Sequence, residues 1–453
     1  MRVMKFGGTS VGDPSRIRNV GDIVKAALAR RPVVVVSAAS KVTDMLLTAA
    51  RNAQNGDVDL DPIVKRTSSL LSAFALQPSL IAHEIEMLRD ALGAIARAGN
   101  ASNERLDLVA SFGERMSVRT ISAALVSMGV QARPFDAWDV GMITDDTFGG
   151  AEPLPSSEAT LHATLRRLAM ECVPVVTGFI GKTADGRVTT LGRGGSDYSA
   201  AVFGAAIGAD EIEIWTDVDG VMSSDPRVVP SARTIPCLSF SEAAELAYFG
   251  AKVLHPKTIL PAVQRAIPVR VLNTFKPTAP GTVITSGGAG IDSVTPVRAI
   301  ASKSGITVVQ MVSSRMLLAH GFLARIFDAF ARHKVVVDLV TTSEVSVSAT
   351  VDREDRLADA IHELRGFAEV SVVRERALVA VVGLGVGETV GVAGHVFAAL
   401  GEAGIAVDMI SQGASRVNLS MVVAAESCDR AVRTLHDRLF GPSPSGAAVS
   451  SST

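Results

Sequence analysis

The sequence opens on Lys5-Phe6-Gly7-Gly8-Thr9-Ser10, a lysine at the end of an apolar run followed by two glycines. With no Cβ in the way, backbone N–H groups in such a turn can face an anion, and the lysine adds a point charge beside them. A Gly-Gly pair can equally serve only to change chain direction. A second glycine-rich stretch is Thr190-Leu191-Gly192-Arg193-Gly194-Gly195-Ser196-Asp197. It leads into a run from Tyr198 to Ile207 that predicts a helix, with Ser196 or Asp197 suited to the N-cap and Gly208 to the end. At such an N-terminus unpaired N–H groups and the helix dipole act together on an anion, and Arg193 can grip a carboxylate or phosphate bidentately. Asp197 could cap the helix and also orient a phosphate-binding lysine.

Three further segments set charge beside glycines or strand ends. Trp215-Thr216-Asp217-Val218-Asp219-Gly220 continues into Ser224-Asp225-Pro226-Arg227. Its closely spaced carboxylates suit the ribose or base side of a nucleotide, or a metal travelling with it, and equally a plain strand-to-turn junction. Phe249 to Pro256 carries Lys252 at the end of a predicted helix that opens with the capping box Ser239-x-x-Glu242, and that lysine faces either solvent or phosphates. Ser111-Phe112-Gly113-Glu114-Arg115 places a carboxylate after another glycine, where a surface helix would explain it as well. Together the glycine turns, the two lysines, Arg193 and Glu114 describe a site for a nucleotide plus a small zwitterion. The Walker, dinucleotide-binding and protein-kinase signatures are absent.

These residues need a scaffold that brings distant loops together. Val33 to Val36, Val173 to Thr177, Glu211 to Thr216 and Ile267 to Leu272 read as strands alternating with alanine-rich helical stretches. That alternation predicts an α/β fold, a mostly parallel sheet covered by helices, with the ligand site beyond the carboxyl ends of the strands. The strand ends run into Gly7-Gly8-Thr9-Ser10, Ser37-Ala38-Ala39-Ser40, Gly178 and Asp217. Thr285 to Gly290 is a run of small residues that reads as a linker. Beyond it the chain repeats itself at a constant offset of 70 residues: Gly321 with Gly391, Phe327 with Phe397, Ala329 with Ala399, Val337-Asp338 with Val407-Asp408, and Val347 with Val417. Each copy predicts a small α+β unit.

Composition limits the function classes. The 453 residues carry 44 Lys plus Arg against 46 Asp plus Glu, a formal charge of −2, and 4% aromatics, so neither a basic nucleic-acid surface nor a base-stacking platform is expected. The longest apolar runs, such as Leu378 to Leu384, fall well short of the ~20 residues that cross a bilayer, and no membrane partner is expected. Met1 to Phe6 runs straight into glycines, without the pattern of a secretory signal, which predicts a cytoplasmic location. Three separated cysteines and eight histidines without H-E-x-x-H spacing predict no disulfide framework and no protein-held metal.

The motifs from Lys5 to Val11, Gly192 to Asp197, Trp215 to Asp217 and Phe249 to Pro256, in this order, closely resemble those of the aspartokinases of the amino-acid kinase family, from Met1 to about Phe440. The C-terminal duplication resembles their paired ACT domains, and Val337 to Glu344 the lysine-sensitive, monofunctional branch. The resemblance implies a three-layer αβα kinase fold over residues 1–285, a linker over 286–303, ACT domains over 304–374 and 375–440, and a disordered tail over 441–453. It implies transfer of the γ-phosphoryl group of ATP, with Mg²⁺ held mainly through the nucleotide phosphates, to the β-carboxylate of L-aspartate. By the same likeness Lys5, Asp197 and Lys252 are catalytic, and Gly7, Gly8, Ser10, Thr216, Asp217, Asp219, Asp225 and Arg227 join the lysines around ATP. Glu114 takes the aspartate ammonium and Arg193 its α-carboxylate, with Ser37, Thr43, Gly195 and Ser196 completing that pocket. L-Lysine is the implied effector, at Met316, Gly321, Phe322, Leu323, Asp338, Thr342 and Ser343, in a homodimer paired through the ACT units. A sibling kinase acting on glutamate, acetylglutamate or a nucleotide, and an amino-acid sensor with an inactive kinase domain, are the alternatives.

Overall fold

A computed structural model describes the chain apart from residues 250–253, 255, 288–295, 314–319, 414 and 442–453. Contacts divide it into two compact units, one of residues 1–221, 234–240 and 253–289, the other of residues 222–233, 241–252 and 290–453. The segment expected as a continuous kinase domain therefore lends two short stretches to the second unit.

The first unit is organised by an eight-stranded sheet in the order Ala132–Phe135, Val173–Thr177, Pro32–Val36, Arg2–Phe6, Glu211–Thr216, Val269–Asn273, Thr282–Thr285, Cys237–Ser239. Every neighbouring pair is parallel except Val269–Asn273 with Thr282–Thr285. The β-branched runs form its centre because both faces are covered: Val33 to Val36 are wholly buried. Met4, Phe6, Val34 and Val36 share one core with Phe112, Met116 and Leu125 of the long helix Asn103–Ser127. The alternate residues face the other way, where Gly204 of the helix Gly195–Ile207 lies so close to Val3 and Ile212 that a Cβ there would meet Ile212 at 2.5 Å. Arg2–Phe6 has Pro32–Val36 on one side and Glu211–Thr216 on the other, so the winding direction reverses at this strand and a crevice opens beyond its carboxyl end.

The second unit carries a six-stranded antiparallel sheet, ordered Val340–Thr342, Ser346–Val351, Ala299–Val312, Glu369–Val382, Asn418–Ala424, Met409–Ser411. The two sequence repeats each have their own core, one around Ile326, Phe330 and Leu364, the other around Val396, Leu400 and Leu435. The long central strands serve both. Val309 and Met311 pack in the first core, while Ile300, earlier on the same strand, packs in the second. The second repeat thus completes its sheet with a strand that precedes the first repeat, and residues expected as the end of the linker are strand from Ala299 onward. Register shifts near Ser304 and Ile306, with Gly305 at φ +79°, mark the changeover. Among the described residues no helix is long and apolar enough to cross a membrane.

Candidate active site

Four strand ends and one helix start converge in the first unit. Gly7 and Gly8 follow Arg2–Phe6, and a Cβ on Gly8 would lie 2.7 Å from the Ala38 carbonyl oxygen, so only glycine lets this loop close on the one after Pro32–Val36. The helix Gly195–Ile207 begins earlier than its sequence suggests: its N-cap is Gly194, left-handed at φ +70° and without a side-chain bond, and not Ser196 or Asp197. Glycine reaches that conformation without strain, which leaves the Asp197 carboxylate free to pair with Lys5, Nζ to Oδ1 2.6 Å. Gly208 ends the helix at φ +60°, as its position predicts.

Two cavities occupy the crevice. One of about 310 Å³ is lined by Lys5, Ser37, Thr43, Glu114, Phe179 and the loop Gly192 to Asp197. The other, about 450 Å³, is lined by Gly7, Gly8, Thr9, Ser37 to Lys41, Thr43, Asp44, Glu114, Thr216 and Asp217. Ser37, Thr43 and Glu114 border both. The structure thereby assembles Lys5, Gly7, Gly8, Ser37, Thr43, Glu114, Arg193, Gly195, Ser196, Asp197, Thr216 and Asp217 from remote positions in the chain.

Glu114 is not on a surface helix face. It is 3% exposed, and Gly113 beside it lets the helix approach the Ala38 loop, since a Cβ there would meet the Ala38 methyl at 2.8 Å. Its Oε1 accepts from the Ala38 N–H at 3.1 Å, while Oε2 is buried with no hydrogen-bond partner among the described residues. Burial pushes this carboxyl up to about 8, against the weaker pull of the Ala38 hydrogen bond. A buried carboxyl group bordering two cavities, with one oxygen lacking a donor among the described residues, is suited to receive a cation. Arg193, exposed at the rim of the smaller cavity, makes no ion pair among the described residues and supplies the opposite charge.

Other expected residues are placed differently. Ser10 is fully buried, its hydroxyl bonded to Thr274 Oγ1 at 2.7 Å, so it ties the glycine turn to a neighbouring loop. Asp219 is held below the usual carboxylate range by hydrogen bonds from Lys276, at 2.8 Å, and Asn273. Sequence reasoning passed over Lys276; the signal was available, because Asn273 to Lys276 also follows the carboxyl end of a sheet strand. Asp225 and Arg227 pair with each other and belong to the second unit. Lys252 lies outside the described residues.

In the second unit, Gly321 at φ +79° and Gly391 at φ +92° cap the matching helices Phe322–Arg332 and Val392–Glu402. Phe322 packs edge-on against Phe367, Leu323 is exposed, and Ser343 bonds Ser346 next to Thr342. The two repeats differ at their matching carboxylates. Asp408 is taken by Arg376 at 2.6 Å, whereas Asp338 meets the Tyr248 hydroxyl and keeps Oδ2 buried without a hydrogen-bond partner among the described residues. Burial pushes the Asp338 carboxyl upward, opposed by Tyr248 and Lys303. Met316 lies outside the described residues.

Residues 1–273 match the amino acid kinase family, and residues 309–365 and 379–439 match the ACT domain. The lysine-sensitive aspartokinase 3 of Escherichia coli K12 is 39% identical over 452 residues, covering 97% of this chain and 99% of the relative. The fold is similar to that of E. coli aspartokinase III in complex with lysine and aspartate, in the T-state, with a TM-score of 0.79 and 38% identity over 97% of this chain and 99% of the other. The same enzyme in complex with aspartate and ADP, in the R-state, gives a TM-score of 0.79 and 37% identity over 97% of this chain and 100% of the other. With a buried glutamate, an arginine loop and a lysine paired to an aspartate at one parallel-sheet crevice, this chain belongs to the amino acid kinase family, among the aspartokinases with C-terminal ACT domains.

Proposed function

We propose that this protein transfers the γ-phosphoryl group of ATP to the β-carboxylate of L-aspartate, forming 4-phospho-L-aspartate and ADP, and that L-lysine inhibits it through the first ACT repeat. The observation that carries the reading is Glu114: a buried carboxylate with one oxygen unpaired, in a cavity it shares with Arg193 and Lys5. Glu114 takes the α-ammonium and Arg193 the α-carboxylate, which leaves the β-carboxylate to point toward Lys5. The relatives' aspartate, ADP and lysine complexes support the same assignment.

The reaction drives an anion against an anion, and unit charges 4 Å apart repel by ~4 kcal/mol at an effective dielectric of ~20. Lys5, steadied by Asp197, offsets that repulsion together with the N–H groups of the Gly7-Gly8 turn and, by resemblance, Lys252. Asp217, exposed on the wider cavity, would help hold the Mg²⁺ that accompanies ATP, and the ion would supply further positive charge there. The nucleophile is already an ionised carboxylate, so no general base is needed and catalysis rests on positioning and electrostatics. Thr216 and Asp219 are assigned to the nucleotide side with the paired Lys276, and Ser37, Thr43 and Ser196 to the aspartate pocket.

Coupled measurement of ADP release tests the reading: aspartate stimulates turnover and glutamate does not. Stimulation by glutamate instead transfers the assignment to a sibling kinase. No turnover with retained lysine binding makes the protein a sensor. The unpaired oxygen of Asp338 is the proposed partner of the lysine ammonium, since its counterpart Asp408 is already neutralised by Arg376. Asp338→Ala is expected to raise the half-inhibitory lysine concentration by about tenfold or more, the cost of one charged hydrogen bond, with little change in uninhibited turnover. An unchanged inhibition curve would move the effector site elsewhere.

A further inference from the structure

Asp107 is buried, 4% exposed, two turns before Glu114 on the helix Asn103–Ser127 and so on the same face. Its carboxylate holds three donors. Oδ2 accepts from the Gly149 N–H at 2.9 Å and the Thr190 N–H at 2.8 Å, and Oδ1 accepts from the Thr190 hydroxyl at 2.8 Å. Both partners border the arginine loop. Thr190 ends the strand Val188–Thr190 just before Leu191-Gly192-Arg193, and Gly149 packs against Gly192, whose Cβ, had it one, would lie 3.0 Å from the Gly149 carbonyl oxygen. One buried side chain therefore fastens the base of the Arg193 loop, from two sides, to the helix that carries Glu114.

We propose that Asp107 is a positioning residue for amino-acid substrate binding: it fixes the Arg193 loop relative to Glu114, so that the ammonium and α-carboxylate of one substrate meet both partners at once. It touches neither substrate; it acts through Thr190, Gly149 and the loop between them. A carboxylate suits the task because it offers acceptors only, Oδ2 to the two backbone N–H groups and Oδ1 to the Thr190 hydroxyl. An alanine in its place removes all three acceptors and releases the loop. This inference rests on the aspartate reading of the site.

The test compares Michaelis constants in the full-length Asp107→Ala and Thr190→Val variants. In Asp107→Ala the KM for aspartate rises about tenfold or more, the scale expected from misplacing a substrate clamp by a fraction of an ångström. The KM for ATP changes by less than about twofold, because the nucleotide-side loops are not attached to Asp107. Thr190→Val removes one donor and keeps both backbone bonds, so it shifts the aspartate constant the same way by a smaller factor. If Asp107→Ala does not fold, Thr190→Val decides by the same split. Parallel changes in both constants with a lowered Tm, or an unmoved aspartate KM, would overturn the proposal. A wild-type enzyme that does not respond to aspartate would overturn the functional reading itself, and this inference with it.

Discussion

Lys5→Ala lowers kcat by about 10³-fold, the range in which removal of a charge-stabilising cation from a phosphoryl-transfer site falls, while the KM for aspartate changes little. Lys5 stands at the carboxyl end of the strand where the sheet reverses its winding, and the Asp197 carboxylate 2.6 Å away holds its ammonium at the edge of the smaller cavity. Glu114 and Arg193, the proposed partners of the amino-acid end, do not depend on it, so the loss is expected in the chemical step. Lys5→Arg restores little: a planar guanidinium on a longer stem cannot take the place of a compact ammonium fixed between a carboxylate and a transferring phosphoryl group. Steady-state kinetics with both substrates saturating checks this, and near-normal turnover in Lys5→Ala would take the residue out of the mechanism.

Glu114→Gln raises the KM for aspartate about 10²-fold, because truncating one partner of a buried charge pair costs ~2–5 kcal/mol and ~2.7 kcal/mol already corresponds to that factor. Glutamine keeps the acceptor for the Ala38 N–H, so the helix and its packing are preserved and the loss reports the missing charge. A pH signature goes with it. The carboxyl is raised to about 8 by burial, so below that pH the empty site holds the acid, and binding the aspartate ammonium expels a proton. The apparent KM for aspartate accordingly falls about tenfold per pH unit up to about pH 8 and levels above it, whereas the glutamine variant shows no such slope. For the ligand-free protein the sign is opposite. The folded state binds the extra proton between the ordinary value of 4.5 and about 8, so this contribution to stability is complete below 4.5 and is lost as pH rises through 8. A KM independent of pH in the wild type, or unchanged in Glu114→Gln, would sink the ammonium assignment.

Much of the scaffold is legible in the sequence. Val173–Thr177 and Glu211–Thr216 form at the expected bounds, because runs rich in β-branched residues and closed by glycine or aspartate have few other ways to be buried. The strand expected from Ile267 begins instead at Val269, after Pro268, which has no N–H to give the ladder. The repeat is visible in its glycines and Val-Asp pairs. Its strand exchange is not, since whether Ala299 to Ser304 pairs within its own repeat or with Leu378 to Val382 is a choice between long-range partners that local sequence does not rank. The helix cap departs from expectation for a related reason. Serine and aspartate are good caps in general, but a left-handed Gly194 starts the helix sooner and leaves Asp197 to Lys5.

Residue types and their order along the chain were enough to establish the parallel α/β body, the duplicated C-terminal module and the chemistry of a nucleotide meeting a small zwitterion, because glycine turns, strand patterns and charged side chains act within a few residues of themselves. Burial and pairing were beyond that reach. Glu114 reads locally as a surface glutamate and becomes a buried carboxyl group beside two cavities only when Gly113 lets its helix close on the Ala38 loop. Ser10, which the resemblance assigns to the nucleotide, has its hydroxyl tied to Thr274, a partner local sequence does not show. Asp338 and Asp408 read as equivalents and differ only because Arg376 reaches one of them. The energy of a charge depends on the water excluded around it and on which partner arrives across the fold, and both are set by contacts between residues far apart in the chain.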